Sequence, residues 1–214
     1  MDEDVTPGQI VILNGVPRSG KTSIAQMIQN TWDGVWINLG VDRFARRAVA
    51  KRFEPGIGLR PGPGPGFGGD NPPLERILPT LFAALYESIA AHSRIGLNVV
   101  VDIGHHGAID PNILPDCARR LDGLPVLFVG VRCPIDVIMQ RRRDSTPGKY
   151  EVGSEHEPTP PPAMLFQREV HKPGVYDMEV DTSVLSPEEC AARIRDRLDN
   201  GPPPTAFAEL AALS

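Results

Sequence analysis

The 214-residue sequence lacks any apolar run long enough to cross a lipid bilayer. Its longest apolar stretches, such as 124–131, fall far below the roughly 20 residues that a membrane helix needs. The N-terminus begins with Met1-Asp2-Glu3-Asp4, which is acidic where a secretory signal would be basic, and no apolar segment follows directly. We therefore expect a protein without a membrane segment that works in the cytoplasm.

Cysteine is also scarce, and basic residues are not in excess. The three cysteines, Cys117, Cys133 and Cys190, are too widely spaced for a metal-binding pair, so we expect reduced and buried side chains. The net charge of -5 gives no general electrostatic reason to bind DNA or RNA. At this length, with 41% hydrophobic residues, one core suffices, and we predict a single domain over 1–200 with a tail over 201–214.

Apolar periodicity alternates strands with helices along most of the chain. Short β-branched or continuous apolar segments predict five strands, at 9–14, 35–39, 97–103, 125–132 and 175–180. Apolar residues at helical spacing predict helices at 21–30, 42–53, 74–92, 111–121, 135–143 and 187–198. The last of these helices carries the capping pair Ser186 and Glu189. This alternation predicts an α/β fold with a five-stranded parallel sheet, helices on both faces, and a ligand at the carboxyl ends of the strands.

Two stretches rich in glycine and proline interrupt this alternation. Residues 54–73 cannot form a regular helix or a central strand, so we predict a flap there. Residues 141–162 begin at the end of a predicted helix and continue into a mixed polar segment, which we interpret as a flexible lid. After Asn200, a Gly-Pro-Pro-Pro run predicts a linker that leads to a peripheral helix.

One segment matches the phosphate-loop pattern G-x-x-x-x-G-K-[ST] at every fixed position, between a predicted strand and a predicted helix. Its residues are Gly15, Val16, Pro17, Arg18, Ser19, Gly20, Lys21 and Thr22. The glycines let backbone N–H groups face a phosphate, to which the following helix adds its positive end. We expect Lys21 to reach the β- and γ-phosphates and Thr22 to bind Mg²⁺, whereas Arg18 either contacts phosphate or points to solvent.

The motif predicts a nucleoside triphosphate donor without naming the acceptor. Motor ATPases, GTPases and small-molecule kinases all share it. The Asn-Lys-x-Asp run of guanine-specific GTPases is absent, so ATP is the expected donor, although GTP is not excluded. A short chain with a predicted lid favours a kinase of small molecules. The sequence is compatible with a monomer and with a homo-oligomer.

A carboxylate follows the second predicted strand. Asp42 ends the run Asn38-Leu39-Gly40-Val41-Asp42, which places it at the carboxyl edge of the sheet, beside the phosphate loop if the two strands are neighbours. There it could accept the proton of an acceptor hydroxyl as general base, or hold Mg²⁺ through water. It could also be only the N-cap of the next helix.

At this point the sequence resembles the chloramphenicol phosphotransferase family. The matching segments are the opening Ile-Val-Ile-Leu-Asn-Gly with its phosphate loop, Gly-Val-Asp ending at Asp42, Val-Gly-Val-Arg-Cys at 129–133, Val-His at 170–171, and Tyr-Asp-Met-Glu-Val-Asp-Thr at 176–182. The resemblance implies ATP-dependent phosphorylation of an antibiotic hydroxyl, with Asp42 as the base. The wider fold is similar to that of shikimate kinase and the zeta toxins.

Two segments depart from the family pattern. The flap at 54–73 is an addition, and Val-Asp-Ile-Gly-His-His at 101–106 replaces a segment that contains Asp-Asp. Both should shape the acceptor pocket, so a larger antibiotic, such as one that carries a nucleoside or sugar, is an alternative to chloramphenicol. A sugar, a shikimate-like metabolite or a nucleotide sugar is another alternative acceptor, and a nucleotide-switch protein is the alternative to an enzyme.

The remaining candidate residues follow the other predicted strands. Asp102 ends the third strand, where P-loop proteins often keep a carboxylate for the Mg²⁺ water shell. His105 and His106 come next and either orient the substrate hydroxyl or lie in a solvated turn.

Basic residues crowd the end of the predicted helix 135–143. We select Arg141 and Arg143 as lid arginines that neutralise the transferring phosphoryl group. The alternative is that these basic residues only stabilise the negative C-terminal end of their helix. Thr182 and Ser183 follow the last strand, where similar kinases contact the adenine. His171 is interpreted as a structural histidine at a helix end.

Overall fold

The structure, a computed structural model, describes residues 5–48, 76–105, 110–145 and 152–213. The predicted flap at 54–73, His106 and residues 146–151 of the predicted lid lie outside the described residues.

Five strands form one parallel sheet in the order β2-β3-β1-β4-β5. Their bounds are Ile10–Asn14 (β1), Trp36–Asn38 (β2), Asn98–Ile103 (β3), Val126–Arg132 (β4) and Met178–Asp181 (β5). The central strands are buried on both faces, which explains their continuous apolar sequences. The predicted α/β fold with a five-stranded parallel sheet is confirmed.

The described helices cover both faces of this sheet. They are Lys21–Thr31 (α1), Val41–Ala48 (α2), Leu78–Arg94 (α3), Ile113–Arg119 (α4), Ile135–Arg143 (α5), Pro161–Glu169 (α6), Pro187–Asn200 (α7) and Ala206–Ala211 (α8). The predicted capping box is present at α7, where the side chain of Ser186 accepts from Glu189 N and the side chain of Glu189 accepts from Ser186 N. Among the residues that the structure describes, no helix is both long enough and apolar enough to span a membrane.

Alternate side chains of β1 point into two different cores. Ile10 and Ile12 pack with apolar residues of α3, α4 and α8, and we call this side of the sheet the α3 face. Val11 and Leu13 pack with apolar residues of α1 and α7, and we call this side the α1 face. Both faces end at the same carboxyl edge of the sheet, where the candidate site residues lie.

Helix α6 was not predicted, because its first turn falls in the segment interpreted as a flexible lid. Proline suits the first turn of a helix, where its missing N–H costs no hydrogen bond, so Pro161 starts α6 rather than preventing it. Phe166 and the following Val170 are buried, and they pack against Val16 of the phosphate loop. The end of the predicted lid therefore belongs to the rigid surroundings of the loop.

The C-terminal tail is part of the core, which corrects the prediction of a peripheral helix. Phe207 and Leu210 of α8 are buried in the α3 face. Asp177 Oδ1 accepts hydrogen bonds from Thr205 N at 2.7 Å and Ala206 N at 3.1 Å, so it caps the start of α8. The linker after Asn200 therefore returns the chain to the sheet. The three cysteines are free and buried, as predicted.

Candidate nucleotide and phosphoryl-transfer site

The segment between β1 and α1 forms a tight turn whose shape depends on its glycines. Arg18 and Gly20 have φ angles of 74° and 94°, in the left-handed region that glycine adopts without cost. A Cβ at Gly15 would lie 2.5 Å from Val131 O, so no larger residue fits there. Successive turns of this kind form a concave backbone that binds anions through its N–H groups.

Two polar side chains inside the loop are suited to phosphate. Lys21 is buried and its Nζ donates to Val16 O at 2.8 Å. Ser19 is fully buried, and its Oγ has no hydrogen-bond partner among the described residues. A buried hydroxyl without a partner is costly, and a phosphate oxygen in the loop would satisfy it. The residues present therefore fit a nucleoside triphosphate.

Thr22 and Asp102 meet at the edge of the loop. Thr22 Oγ1 donates to Asp102 Oδ2 at 2.6 Å and so joins α1 to the end of β3. A Cβ at Gly40 would lie only 1.8 Å from Asp102 Oδ1, so glycine at that position makes room for the carboxylate. A hydroxyl and a carboxylate are ligands that suit Mg²⁺, which usually takes its other ligands from phosphate and water. In the described part of the chain, no three His, Cys, Asp or Glu residues form a metal cluster.

Arg141 fastens the last turn of α5 to the loop. Its guanidinium donates to Thr182 O at 2.6 Å, to Thr182 Oγ1 at 3.1 Å and to Arg18 O at 3.3 Å. Arg18 returns a bond of 2.7 Å to Arg141 O. Thr182 Oγ1 in turn donates to Ser19 O at 2.7 Å. Arg141, Arg18 and Thr182 therefore form a bracket around one side of the phosphate loop.

A cavity of about 380 Å³ opens beside this bracket on the α1 face. Its lining combines polar residues of the loop with apolar side chains of Ile24, Leu185 and Pro187. A nucleotide likewise combines polar phosphates with a flat base. The predicted base-contact residue Thr182 lines the cavity.

Arg143 and Ser183, which were also predicted to contact the nucleotide, both lie at the surface. Arg143 is exposed, and its guanidinium bonds to Gln140 Oε1 of its own helix at 2.8 Å. Ser183 is exposed as well, and both its N–H and its hydroxyl donate to Asp181 Oδ1. Asp181 therefore caps the turn after β5. The structure thus brings Arg141 to the cavity and leaves Arg143 on the surface of α5.

Asp42 lies in the first turn of α2 and is exposed. Gly40 O accepts from Arg43 N at 2.9 Å and from Phe44 N at 3.0 Å, so the helix starts at Gly40 and Asp42 is not its N-cap. Because β2 pairs with β3 and not with β1, Asp102 lies between the phosphate loop and the strand that leads to Asp42. Asp42 is thus accessible at the same edge, one strand farther from the loop than the sequence suggested.

His105 is buried rather than placed in a solvated turn. Only 4% of its surface is exposed, and its ring lies 4.9 Å from that of Phe82. Its backbone N–H donates to Asn14 Oδ1 at 2.9 Å, and its Nε2 is 3.0 Å from Tyr86 Oη. His105 is therefore held firmly on the α3 face.

Asn14, at the end of β1, connects His105 with the segment after α6. It is fully buried, and its Nδ2 donates to Val170 O and to Tyr176 Oη, each at 2.9 Å. Tyr176 Oη is also 2.9 Å from His171 Nδ1. Burial, followed by the positive charge of Arg132, lowers the pKa of His171 to about 4, so this histidine is neutral.

The sequence indicates His171 as a structural residue, but it does not reveal its bond to Tyr176 or the bond from Asn14 to Tyr176. An amide side chain at the end of an otherwise apolar strand was the one available signal for Asn14. Burial raises the pKa of Tyr176 to about 12, which keeps its phenol protonated.

A model of one protein family matches most of the chain. The family is described as chloramphenicol phosphotransferase-like protein, and the match covers residues 8–199. It includes the phosphate loop, Asp42, Asp102 and the bracket around Arg141.

Comparison with curated proteins finds relatives from two strains of Mycobacterium tuberculosis that carry the provisional name O-phosphotransferase. Each is 25% identical over 226 residues, an alignment that covers 95% of this chain and 88% of the relative.

Solved kinase structures share the fold at low sequence identity. The Mycobacterium tuberculosis APS kinase CysC, in complex with AMPPNP and APS, has a TM-score of 0.61 at 15% identity, over 91% of this chain and 99% of its own. A tunicamycin resistance protein from Deinococcus radiodurans has a TM-score of 0.59 at 16% identity, over 90% of this chain and 96% of its own. At this identity the likeness concerns the fold alone.

Proposed function

The chain belongs to the chloramphenicol phosphotransferase-like family of P-loop small-molecule kinases, and on that premise we propose that it transfers the γ-phosphoryl group of ATP to a hydroxyl of an antibiotic. The observation that carries this proposal is the contact of 2.6 Å between Thr22 Oγ1 and Asp102 Oδ2. It assembles a Mg²⁺-suited pair directly beside a phosphate loop, at the edge where Asp42 begins α2.

The donor would bind along the cavity on the α1 face. Backbone N–H groups of the loop and the Lys21 ammonium would hold the β- and γ-phosphates, and Ser19 Oγ would gain a partner. Thr22 and Asp102 would hold Mg²⁺, which neutralises phosphate charge when bound. The backbone after β5, at Thr182 and Ser183, would contact the base.

Asp42 is our candidate for the general base. Its carboxylate takes the proton of the acceptor hydroxyl as that oxygen bonds to the γ-phosphorus and the bond from phosphorus to the β–γ bridging oxygen breaks, which releases ADP. Its place in the first turn of α2 leaves the carboxylate exposed at the carboxyl edge of the sheet, where an acceptor hydroxyl can reach it.

Arg141 takes the arginine role that the sequence divided between Arg141 and Arg143. Its bracket orders the loop and closes one side of the cavity, so it supports transfer by holding the donor in place. Arg143 has no such contact among the described residues, and we assign it no catalytic role.

An antibiotic acceptor is supported by the family to which the chain belongs, whose name refers to chloramphenicol. His105, held beside the end of β3, would form one wall of the acceptor pocket, and His106 follows it in the chain. Phosphorylation of an antibiotic would confer resistance where ATP is abundant, which supports a cytoplasmic location.

The test of this function is a panel of acceptors incubated with ATP, Mg²⁺ and the protein, with mass spectrometry of each acceptor. Chloramphenicol and antibiotics that carry a nucleoside or sugar form one arm, and sugars, shikimate and APS form the other. We expect one antibiotic to gain a phosphoryl group. A gain confined to the metabolite arm would make the protein a metabolic kinase, and ATP hydrolysis without any phosphorylated acceptor would contradict the proposal.

Asp42→Asn tests the base within that assay. We expect turnover to fall by about a hundredfold or more while ATP affinity stays unchanged, because the amide cannot accept the proton. Asp136→Asn is a matched control, since Asp136 is also an exposed aspartate in the first turn of a helix, α5. Turnover near wild type in Asp42→Asn would remove Asp42 from this role.

A further inference from the structure

Asn14 lies on the opposite side of the sheet from the nucleotide cavity. Ile10 and Ile12 of β1 face the α3 face, so Asn14, two residues farther along the strand, shares that side. Tyr176 also packs against the α3-face core. The cavity opens on the α1 face, where Ile24 lies. The amide of Asn14 and the nucleotide cavity therefore lie on opposite sides of the sheet, and the backbone at the start of the phosphate loop joins them directly.

The hydrogen bonds of Asn14 have a fixed direction. His105 N is a donor, so it must bond to the amide oxygen, and Val170 O is an acceptor, so it must bond to the amide nitrogen. The second amide hydrogen then goes to Tyr176 Oη. Every polar group of this side chain is used.

That direction continues to His171. Since Tyr176 Oη already accepts from Asn14, its own hydrogen is available for His171 Nδ1 at 2.9 Å. His171 Nδ1 is then an acceptor, and the hydrogen of the neutral ring lies on Nε2. The chain from Asn14 through Tyr176 to His171 therefore favours the tautomer with its proton on Nε2, because the Tyr176 hydroxyl hydrogen then has an acceptor.

The amide of Asn14 joins three segments, of which the phosphate loop and the end of β3 carry candidate site residues. It is covalently next to Gly15 of the phosphate loop, it holds the backbone of His105 after β3, and it holds Val170 after α6. The partners lie far apart in sequence, so no local structure sets their spacing. A shift of the amide would move the acceptor-side backbone relative to the loop.

We propose that Asn14 is a positioning residue for phosphoryl transfer. Its amide aligns the backbone at His105 with the phosphate loop, and the hydrogen-bond chain to Tyr176 and His171 holds that amide in place. The expected change in kcat rests on the proposed function, whereas the expected tautomer of His171 does not. Because the chain lies on the α3 face, its loss should reduce the rate of transfer more than the affinity for ATP.

Tyr176→Phe is the mildest test, because it removes one hydroxyl and keeps the ring. Turnover is measured as ADP formed from saturating ATP and Mg²⁺, with the acceptor found in the panel or with water. We expect kcat to fall about tenfold and the KM for ATP to stay within about twofold. In the 15N NMR spectrum, His171 should show an unprotonated Nδ1 in the wild type and a mixture of tautomers in the variant.

Ser93→Ala is the matched control. Ser93 is fully buried and its Oγ donates to Gly8 O at 2.6 Å, so this variant also loses one buried hydroxyl bond, but at the amino end of the sheet. We expect a similar loss of thermal stability with kcat unchanged. Equal kcat values in Tyr176→Phe and Ser93→Ala would show that the Tyr176 bond is merely structural and would overturn the proposal.

Asn14→Asp provides a stronger change. It keeps an oxygen for His105 N, loses both amide hydrogens and places a charge against Val170 O, so we expect kcat to fall about a hundredfold. If this variant does not fold, Tyr176→Phe still decides the matter. If the wild type phosphorylates no acceptor in the panel, the proposed function has failed, and a wild-type His171 with its proton on Nδ1 would separately overturn the hydrogen-bond chain.

Discussion

The two faces of the sheet end at the same edge but build their parts of the site in different ways. On the α1 face, the donor side depends on backbone geometry: a loop with positive φ angles at Arg18 and Gly20, which is braced by Arg141. On the α3 face, the other side depends on buried side chains, with Asn14 and Tyr176 bonded to each other.

This difference explains why the two sides differ in how readily they are recognised. A backbone cradle suits any nucleoside triphosphate, because it reads phosphate and not the rest of the molecule. A buried side-chain network is specific to its partners, because each polar group must be satisfied. The donor side thus identifies a site for a nucleoside triphosphate, and the other side depends on contacts between particular side chains.

Lys21→Ala should have the largest effect on phosphoryl transfer, and it changes only the donor side of the site. We expect phosphoryl transfer to fall by about a hundredfold to a thousandfold, because the ammonium is the cation placed inside the phosphate loop. ADP formation at saturating ATP measures this loss. Lys172→Ala, an exposed lysine paired with Glu169, is the control and should retain activity. A wild-type rate in Lys21→Ala would contradict the donor side as drawn.

Arg141→Ala should have an intermediate effect and would sharpen the contrast between binding and transfer. Loss of its bonds to Thr182 and Arg18 should raise the KM for ATP about tenfold, with a smaller change in kcat. Arg143→Ala should change neither by more than about twofold, since its guanidinium bonds only to Gln140 among the described residues. The reverse order of the two variants would restore Arg143 as the functional arginine.

His171→Asn should have the smallest effect, and its readout is the pH dependence of stability. The pKa of His171 is lowered from 6.5 to about 4, mainly by burial and by Arg132, with Lys21 adding to the shift and Glu179 opposing it. The unfolded chain therefore binds more protons between these values, and the stabilising effect of the neutral ring is lost as the pH falls from 6.5 toward 4.

The thermal midpoint of the wild type should consequently fall more steeply over that pH range than the midpoint of His171→Asn. Asparagine keeps an acceptor for Tyr176 Oη in place of Nδ1, so the comparison isolates the titrating ring. Parallel curves for the two proteins would show that His171 does not titrate between the folded and unfolded states as described.

Local features of the sequence were sufficient to predict the donor side. The phosphate loop has fixed spacing, and the capping box of α7 spans only four residues, so both follow from neighbours in the chain. The order of strands and helices follows in the same way from periodicity.

Features that depend on distant packing were missed or misplaced. Asn14 and Tyr176 are 162 positions apart, and no local pattern joins them. The prolines that start α6 resemble those of a loop, so the sequence does not predict this helix. Nothing in the sequence of α8 itself shows that Phe207 reaches the core. Arg141 and Arg143 lie two positions apart in α5, so their side chains leave the helix on different sides. Only the packing of α5 decides which of them contacts the phosphate loop.

The most direct test of the central claim follows the phosphoryl group itself. ATP labelled with heavy oxygen in its γ-phosphoryl group would be incubated with Mg²⁺, the protein and the acceptor found in the panel, and the product analysed by mass spectrometry. Direct transfer predicts that the alcohol product carries the labelled phosphoryl group and that Lys21→Ala forms this product at least about a hundredfold more slowly. Label found only in free phosphate, with the acceptor unchanged, would contradict the account of this protein as a small-molecule phosphotransferase.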